Sequence, residues 1–276
     1  MNYRLIACNI FQREACACVA HCSHVVDMDF LELGEHARPD TLRTLLQARI
    51  DAAENGARKY EAILLLFGLC GNAGVGLVAR QTQLVLPRAH DCATILLGSR
   101  AAFRKHFGDN PSQGFSSNGY LDRGDYFLRQ AEEGGGFTAD GDAYADLVKR
   151  HGEENARYVW EALHPSRPGD DHVVFIRMPG IDDAKHIERF RVQAEATGKN
   201  CEELTGDMRL ISALLSGNWD SAEFLVVPPG SQTAGVYDWD EVVRAKPVAG
   251  AAEPQPRKVT KGSSARAATP RAKPVV

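Results

Sequence analysis

Residues 60–67 read YEAILLLF and run directly into GLCGNAG at residues 68–74. An unbroken apolar run of this length, closed by a glycine-rich turn, is the pattern of a strand buried on both faces, and such strands belong inside parallel sheets. The residues on either side repeat the theme. Upstream, Tyr3–Ile10 reads as a first strand, Phe11–Cys22 as an Ala-rich helix and Val25–Leu33 as a second strand with partial alternation. Arg38-Pro39-Asp40 opens a helix: Asp40 can cap it, and Leu42, Leu45, Leu46, Arg49 and Ile50 follow at helical spacing up to Asn55-Gly56. Downstream, Leu84–Pro87 is a short strand, RAHDC at 88–92 a loop, and Thr94–Phe107 a helix broken near Gly98. Strand and helix alternating in this order predict an α/β fold. The expected form is Rossmann-like: an open, mainly parallel sheet with helices on both faces.

Residues 109–136 read as an irregular insertion, and Tyr144–Leu163 as a long amphipathic helix. A later strand is expected at His172–Met178, helices at Asp182–Ala196 and Asp207–Leu215, and a last strand at Glu223–Val227. Residues 1–245 are therefore expected to form one α/β domain, either with a sub-lobe from about residue 140 or with one sheet extended by the later strands. Residues 246–276 are rich in Pro, Ala and Ser, have no aromatic residue and show no apolar period. Too little apolar surface is available there to offset the entropy of ordering, so a disordered tail is expected.

Charge separates the same two parts. The tail carries seven Lys or Arg against one acid, Glu253, a net of +6; with −4 for the whole chain, residues 1–245 hold −10. An acidic body argues against a nucleic-acid groove, leaving at most weak polyanion contact through the basic tail. The apolar runs are far shorter than the ~20 residues a membrane helix needs. The N-terminus enters a strand with no basic n-region and no apolar h-region. A soluble, cytoplasmic protein is expected, in which the seven cysteines are reduced thiols rather than disulfides.

In open parallel sheets, ligands bind beyond the carboxyl ends of the strands. Cys8, Cys70, His90 and Cys92 each follow a strand at that edge. Thiolate and imidazole suit zinc and other borderline-soft metals, and three Cys with one His would close a tetrahedral site. Iron, or an iron–sulfur cluster, is also compatible with this set. The competing reading is that these cysteines are small buried apolar side chains. Asp91 could orient His90 or simply bond its own loop backbone, and Arg88 could hold an anionic ligand or lie at the surface. The turn at Gly71, Asn72 and Gly74 offers backbone amides to a ligand, but it is neither G-x-G-x-x-G nor a Walker loop. Cys16, Cys18, His21, Cys22 and His24 form a rival cluster, Cys201 reads as structural, and Phe115, Tyr120, Tyr126 and Phe127 are candidates for a lid.

LIAC at 5–8, GxHxRP at 34–39, GLCGN at 68–72, PRAHDC at 87–92 with LGS at 97–99, and FLVVPPG at 224–230 together resemble the family known as domain of unknown function 1638, over roughly residues 3–230. The resemblance implies an association with corrinoid methyltransferase systems. That suggests zinc-dependent thiol or methyl-transfer chemistry on a small-molecule ligand, with a corrinoid as a further candidate cofactor. The alternative is a non-catalytic module that binds a metal, a corrinoid or a small anion.

Overall fold

The computed structural model describes residues 1–32, 39–111, 113–124, 148–149, 152–153, 155–157, 171–236 and 238–248. The centre is a five-stranded sheet. Its strands are β1 (Asn2–Cys8), β2 (Val25–Leu31), β3 (Ala62–Leu66), β5 (Leu84–Pro87) and β9 (Phe224–Val227). They lie in the order β2-β1-β3-β5-β9. The first four are mutually parallel, and β9 closes the edge antiparallel to β5. This is a mixed α/β protein with a mostly parallel central sheet.

The sheet order follows from burial. Every residue of β3 is buried, as the run at 62–66 predicts, so β3 needs neighbours on both sides and helices over its faces. Each Leu or Ile there contributes roughly 2 kcal/mol of apolar burial. β2 is an edge strand and carries acids. Arg4 reaches Asp29 at 2.7 Å, and the Tyr60 hydroxyl donates to Asp27 at 2.7 Å. Charges on an edge discourage pairing with another chain.

Helices α1 (Gln12–Ala20) and α2 (Pro39–Asn55) connect the first three strands. After β5, α3 (Cys92–Leu96) and α4 (Arg100–Phe107) flank Gly98, whose φ of +76° makes the break expected there. The insertion read as irregular contains a short strand, β6 (Phe115–Ser116), and a helix, α5 (Asn118–Arg123). Within the described residues, three further elements follow: β7 (His172–Arg177), α6 (Ala184–Ala196) and β8 (Asn200–Thr205).

β7 does not extend the central sheet. It lies between β6 and β8 in a parallel sheet of its own. Alternation along β7 points Val173 and Phe175 into a small cluster with Phe190, while Val174 and Ile176 join the main core. α7 (Arg209–Leu215) packs on β3 and β5 and against α1. Nor is Phe224–Val227 the last strand. β10 (Ser231–Gly235) and β11 (Val243–Pro247) follow and pair antiparallel, with the two-residue β4 (Val78–Ala79) on the outer side of β10. Lys246 and Pro247 are thus paired strand residues, two positions past the boundary expected at 245. Residues 249–276, and most of the helix expected at Tyr144–Leu163, lie outside the described residues. Among those described, no helix is long and apolar enough to cross a membrane.

Candidate functional site

Strands β1, β3 and β5 are adjacent and parallel, so their carboxyl ends open on one edge. Cys8 is the last residue of β1, Cys70 stands in the turn after β3, and Cys92 begins α3 after β5. The three residues are brought to one edge. Cys70 and Cys92 are hydrogen-bonded to each other, and Cys8 interacts electrostatically with both. Burial, reinforced by Cys92, pushes the Cys8 thiol well above its ordinary range. The bond to Cys92, then burial, does the same for Cys70. Both stay protonated at neutral pH.

The backbone explains the convergence. Cys70, Gly71 and Asn72 have φ of +45°, +64° and +73°, a left-handed run that reverses the chain and turns Cys70 toward the 88–92 loop. Leu69 and Cys70 donate to the carbonyls of Ala89 and His90 at 2.9 and 3.3 Å. Gly68 allows the two segments to touch, because a Cβ there would sit 2.7 Å from the Asp91 Cα. The amides of Ala73, Gly74 and Val75 donate back to Cys70, Leu69 and Asn72. Of the amides expected to cradle an anion at Gly71, Asn72 and Gly74, that of Gly74 is therefore used inside the turn itself. The Gly74 carbonyl is also taken, by the Thr233 hydroxyl at 2.7 Å.

Tyr120 is the fourth member of the cluster. Its phenol pKa is raised well above the usual value, by burial first and then by Cys92, Cys8, Cys70 and Asp91. Helix α5 brings it there by packing on the 3-10 turn Asn9–Phe11 that follows Cys8. Gly119 makes that approach: a Cβ would lie 1.7 Å from the Ile10 carbonyl oxygen. The same junction leaves polar atoms unpaired. Asn9 Oδ1, Ser116 Oγ, Ser117 Oγ and Asn118 Oδ1 are buried without a partner among the described residues. Buried oxygens of this kind call for an explanation, and a bound group is one. Of the expected lid aromatics, Phe115 packs edge-on against Tyr120, with centroids 5.5 Å apart, while Tyr126 and Phe127 lie outside the described residues.

His90 faces other partners. Its ring meets Trp239 edge-to-face at 5.4 Å and bonds the Asp238 backbone. Burial lowers its pKa, with the Arg100 charge adding to the effect. Asp91 separates it from Cys92 by capping α3, accepting from the Thr94 amide at 3.0 Å and the Thr94 hydroxyl at 3.1 Å. Burial raises the Asp91 pKa. Arg88 donates to the carbonyls of Ser221, Glu241 and Val243, which ties the β5 end to the chain around β9 and β11.

The rival cluster does not gather into one site. Cys16 is exposed. Cys18 is pushed up to about 11 by burial and the nearby Glu14. Cys22 and His24 bond the Leu215 and Ser216 carbonyls at the end of α7. Cys201 lies on β8. His36 falls outside the described residues. Among those described, no group of three or more His, Cys, Asp or Glu side chains is placed so that it could hold a metal ion, and that includes Cys8, Cys70 and Cys92. Tyr120, expected as a lid aromatic, lies against the thiols, and Trp239 is the participant that sequence reading did not assign; an aromatic in a polar stretch was its available signal.

The family described as "Protein of unknown function (DUF1638)" matches residues 30–215. Cys70, His90, Cys92 and Tyr120 fall inside that span and Cys8 precedes it. No curated protein and no solved structure matches the chain.

Proposed function

This chain belongs to the DUF1638 family of proteins of unknown function, and from that premise we propose that Cys8, Cys70 and Cys92 take up a soft metal ion, zinc first, at the carboxyl edge of the sheet. One observation carries the reading: Cys92 raises the thiols of Cys8 and Cys70, and all three raise the half-buried Tyr120 phenol, which puts these four side chains at one edge of the sheet. Their chemistry fits the ion, since thiolates are its preferred ligands. Without metal, Cys8 and Cys70 keep their protons and Cys70 bonds Cys92. Uptake exchanges those protons for the ion, and the side chains turn about Cα–Cβ to meet it.

Three protein ligands leave a fourth position, and an ion so held lowers the pKa of a small-molecule thiol, which suits that thiol to accept a methyl group. The residues of the chain do the rest. Tyr120 offers a phenolic O–H to the bound molecule, the left-handed turn holds Cys70 in place, and Asp91 keeps Cys92 at the start of α3. The corrinoid methyl donor implied by family resemblance would be the partner. A second reading, binding without turnover, is favoured by Asp91, whose carboxylate is occupied by its cap instead of standing as a base.

We read the sheet as Rossmann-like in its finer form. α2 packs on β1, α1 packs with α7, and right-handed crossovers would put α1 and α2 on opposite faces. Reduced thiols fit a cytoplasmic setting.

The test is metal content of anaerobically purified and zinc-reconstituted protein. About one ion per chain is expected, lost in Cys70→Ala and Cys92→Ala and kept in Cys16→Ala. Turnover with a methyl donor and a thiol separates the two readings. A wild-type protein that takes up no zinc, iron or cobalt after reconstitution would end the metal proposal.

A further inference from the structure

Cys70 and Cys92 stand on loops that follow the neighbouring strands β3 and β5, and their thiols bond each other. We infer that the two form a redox pair, which a small disulfide converts into a Cys70–Cys92 disulfide and a small thiol converts back.

Backbone contact puts the pair within reach. The segment after β3 runs alongside the segment after β5. The Leu69 and Cys70 amides donate to the Ala89 and His90 carbonyls at 2.9 and 3.3 Å, and a Cβ on Gly68 would lie 2.7 Å from the Asp91 Cα. Chain segments paired in this way lie about 5 Å apart, inside the ~4.4–6.8 Å that separates the Cα atoms of a disulfide. Cys92 is the next residue along, and the Asp91 cap holds it at the start of α3. Cys70 is held from the other side by its left-handed turn, φ +45°. β3 stands between β1 and β5, so strand order makes Cys70, and not Cys8, the neighbour of Cys92.

The two thiols differ in access. Cys70 is partly exposed and Cys92 is buried, so an incoming disulfide meets Cys70 first. The Cys70 sulfur bonds one sulfur of the small disulfide, whose S–S bond breaks, and the leaving thiol takes the Cys70 proton. The Cys92 sulfur then bonds the Cys70 sulfur and releases the second small thiol, which takes the Cys92 proton. Two protein thiols are oxidised, and one small disulfide is reduced to two thiols. The pair supplies two of the three ligands proposed above. On that reading oxidation switches metal uptake off, but the disulfide itself does not depend on it.

The test uses the metal-free full chain with bis(2-hydroxyethyl) disulfide as the probe. Remaining thiols are then blocked and the peptides mapped by mass spectrometry. A linked Cys70–Cys92 pair is expected in most chains, about 2 Da lighter than the two free thiols and reversed by dithiothreitol. Cys92→Ser should leave half of the probe attached to Cys70. Cys70 and Cys92 both left free after the exposed Cys16 has reacted would overturn the inference. So would wild-type Cys70 that stops at the mixed disulfide, or Cys92 linked to Cys8 instead. The wild-type map decides the question even if the variant fails to fold. Zinc uptake by the reduced protein keeps the two proposals apart: a chain that forms the link and takes up no metal loses only the metal reading, and one that takes up zinc and never forms the link loses only this one.

Discussion

Cys70 adopts φ +45° although it bears a side chain, a conformation that costs about 1 kcal/mol outside glycine. Cys70→Gly should therefore be more stable to urea than Cys70→Ala by about 1 kcal/mol, while both lose metal; equal stabilities would show that the turn is unstrained. Glu14 is the other costly residue. Its side chain is buried, neither carboxylate oxygen has a partner among the described residues, and burial raises its pKa to about 7 from 4.5. The folded state holds this proton more tightly than the unfolded chain does. The contribution to stability is therefore complete below about pH 4.5, is lost as pH rises to about 7, and stays lost above. Glu14→Gln should flatten that stretch of the stability profile and gain up to about 3 kcal/mol at pH 8. An unchanged profile by urea titration would mean that Glu14 is solvated. At this scale the cysteines were legible, because each closes or follows an apolar run. The fate of His90 was not, because the Asp91 cap starts a helix between it and Cys92 and sends the two side chains to different places.

Helix α5 depends on one close approach. A methyl group at residue 119 has no room against the Ile10 carbonyl, so Gly119→Ala should displace the helix and cost about 2 kcal/mol or more. Tyr120 moves with it, and its fluorescence and titration should shift toward those of an exposed tyrosine. A variant with wild-type melting and an unchanged Tyr120 titration would refute this account of α5. The long elements were legible: β1, β2, β3, α2, α6 and α7 carry period-2, period-3.6 or continuous apolar patterns. The small ones were not. β6 and α5 together number eight residues and carry no pattern of their own. β8, β10 and β11 are half-exposed strands that become strands through their partners. Glu54 shows why loops resist reading. It is buried at the end of α2, and its Oε1 accepts from the amides of Arg80, Gln81 and Thr82, 26 to 28 residues away. Nothing local announces that bond.

Across the whole molecule, the strand order makes one edge out of three separate loops, and a metal there would tie β1, β3 and β5 together. Zinc should therefore raise the melting temperature, with a gain of about 2.7 kcal/mol at one hundred times its dissociation constant. Because the thiols of Cys8 and Cys70 are raised, binding must expel their protons, so affinity measured by chelator competition should climb from about pH 6 to pH 8. A flat profile would exclude thiol ligands. Hydrophobic patterning by itself determined the α/β class, the buried central strand and the edge where the cysteines fall, since burial and periodicity are written locally. Only the tertiary structure decided which of them meet. Parallel neighbours β1, β3 and β5 bring Cys8, Cys70 and Cys92 together, Gly119 lets Tyr120 in, and the Asp91 cap turns His90 toward Trp239. These outcomes rest on contacts between residues far apart in the chain, and such contacts exist only once the backbone has closed on itself.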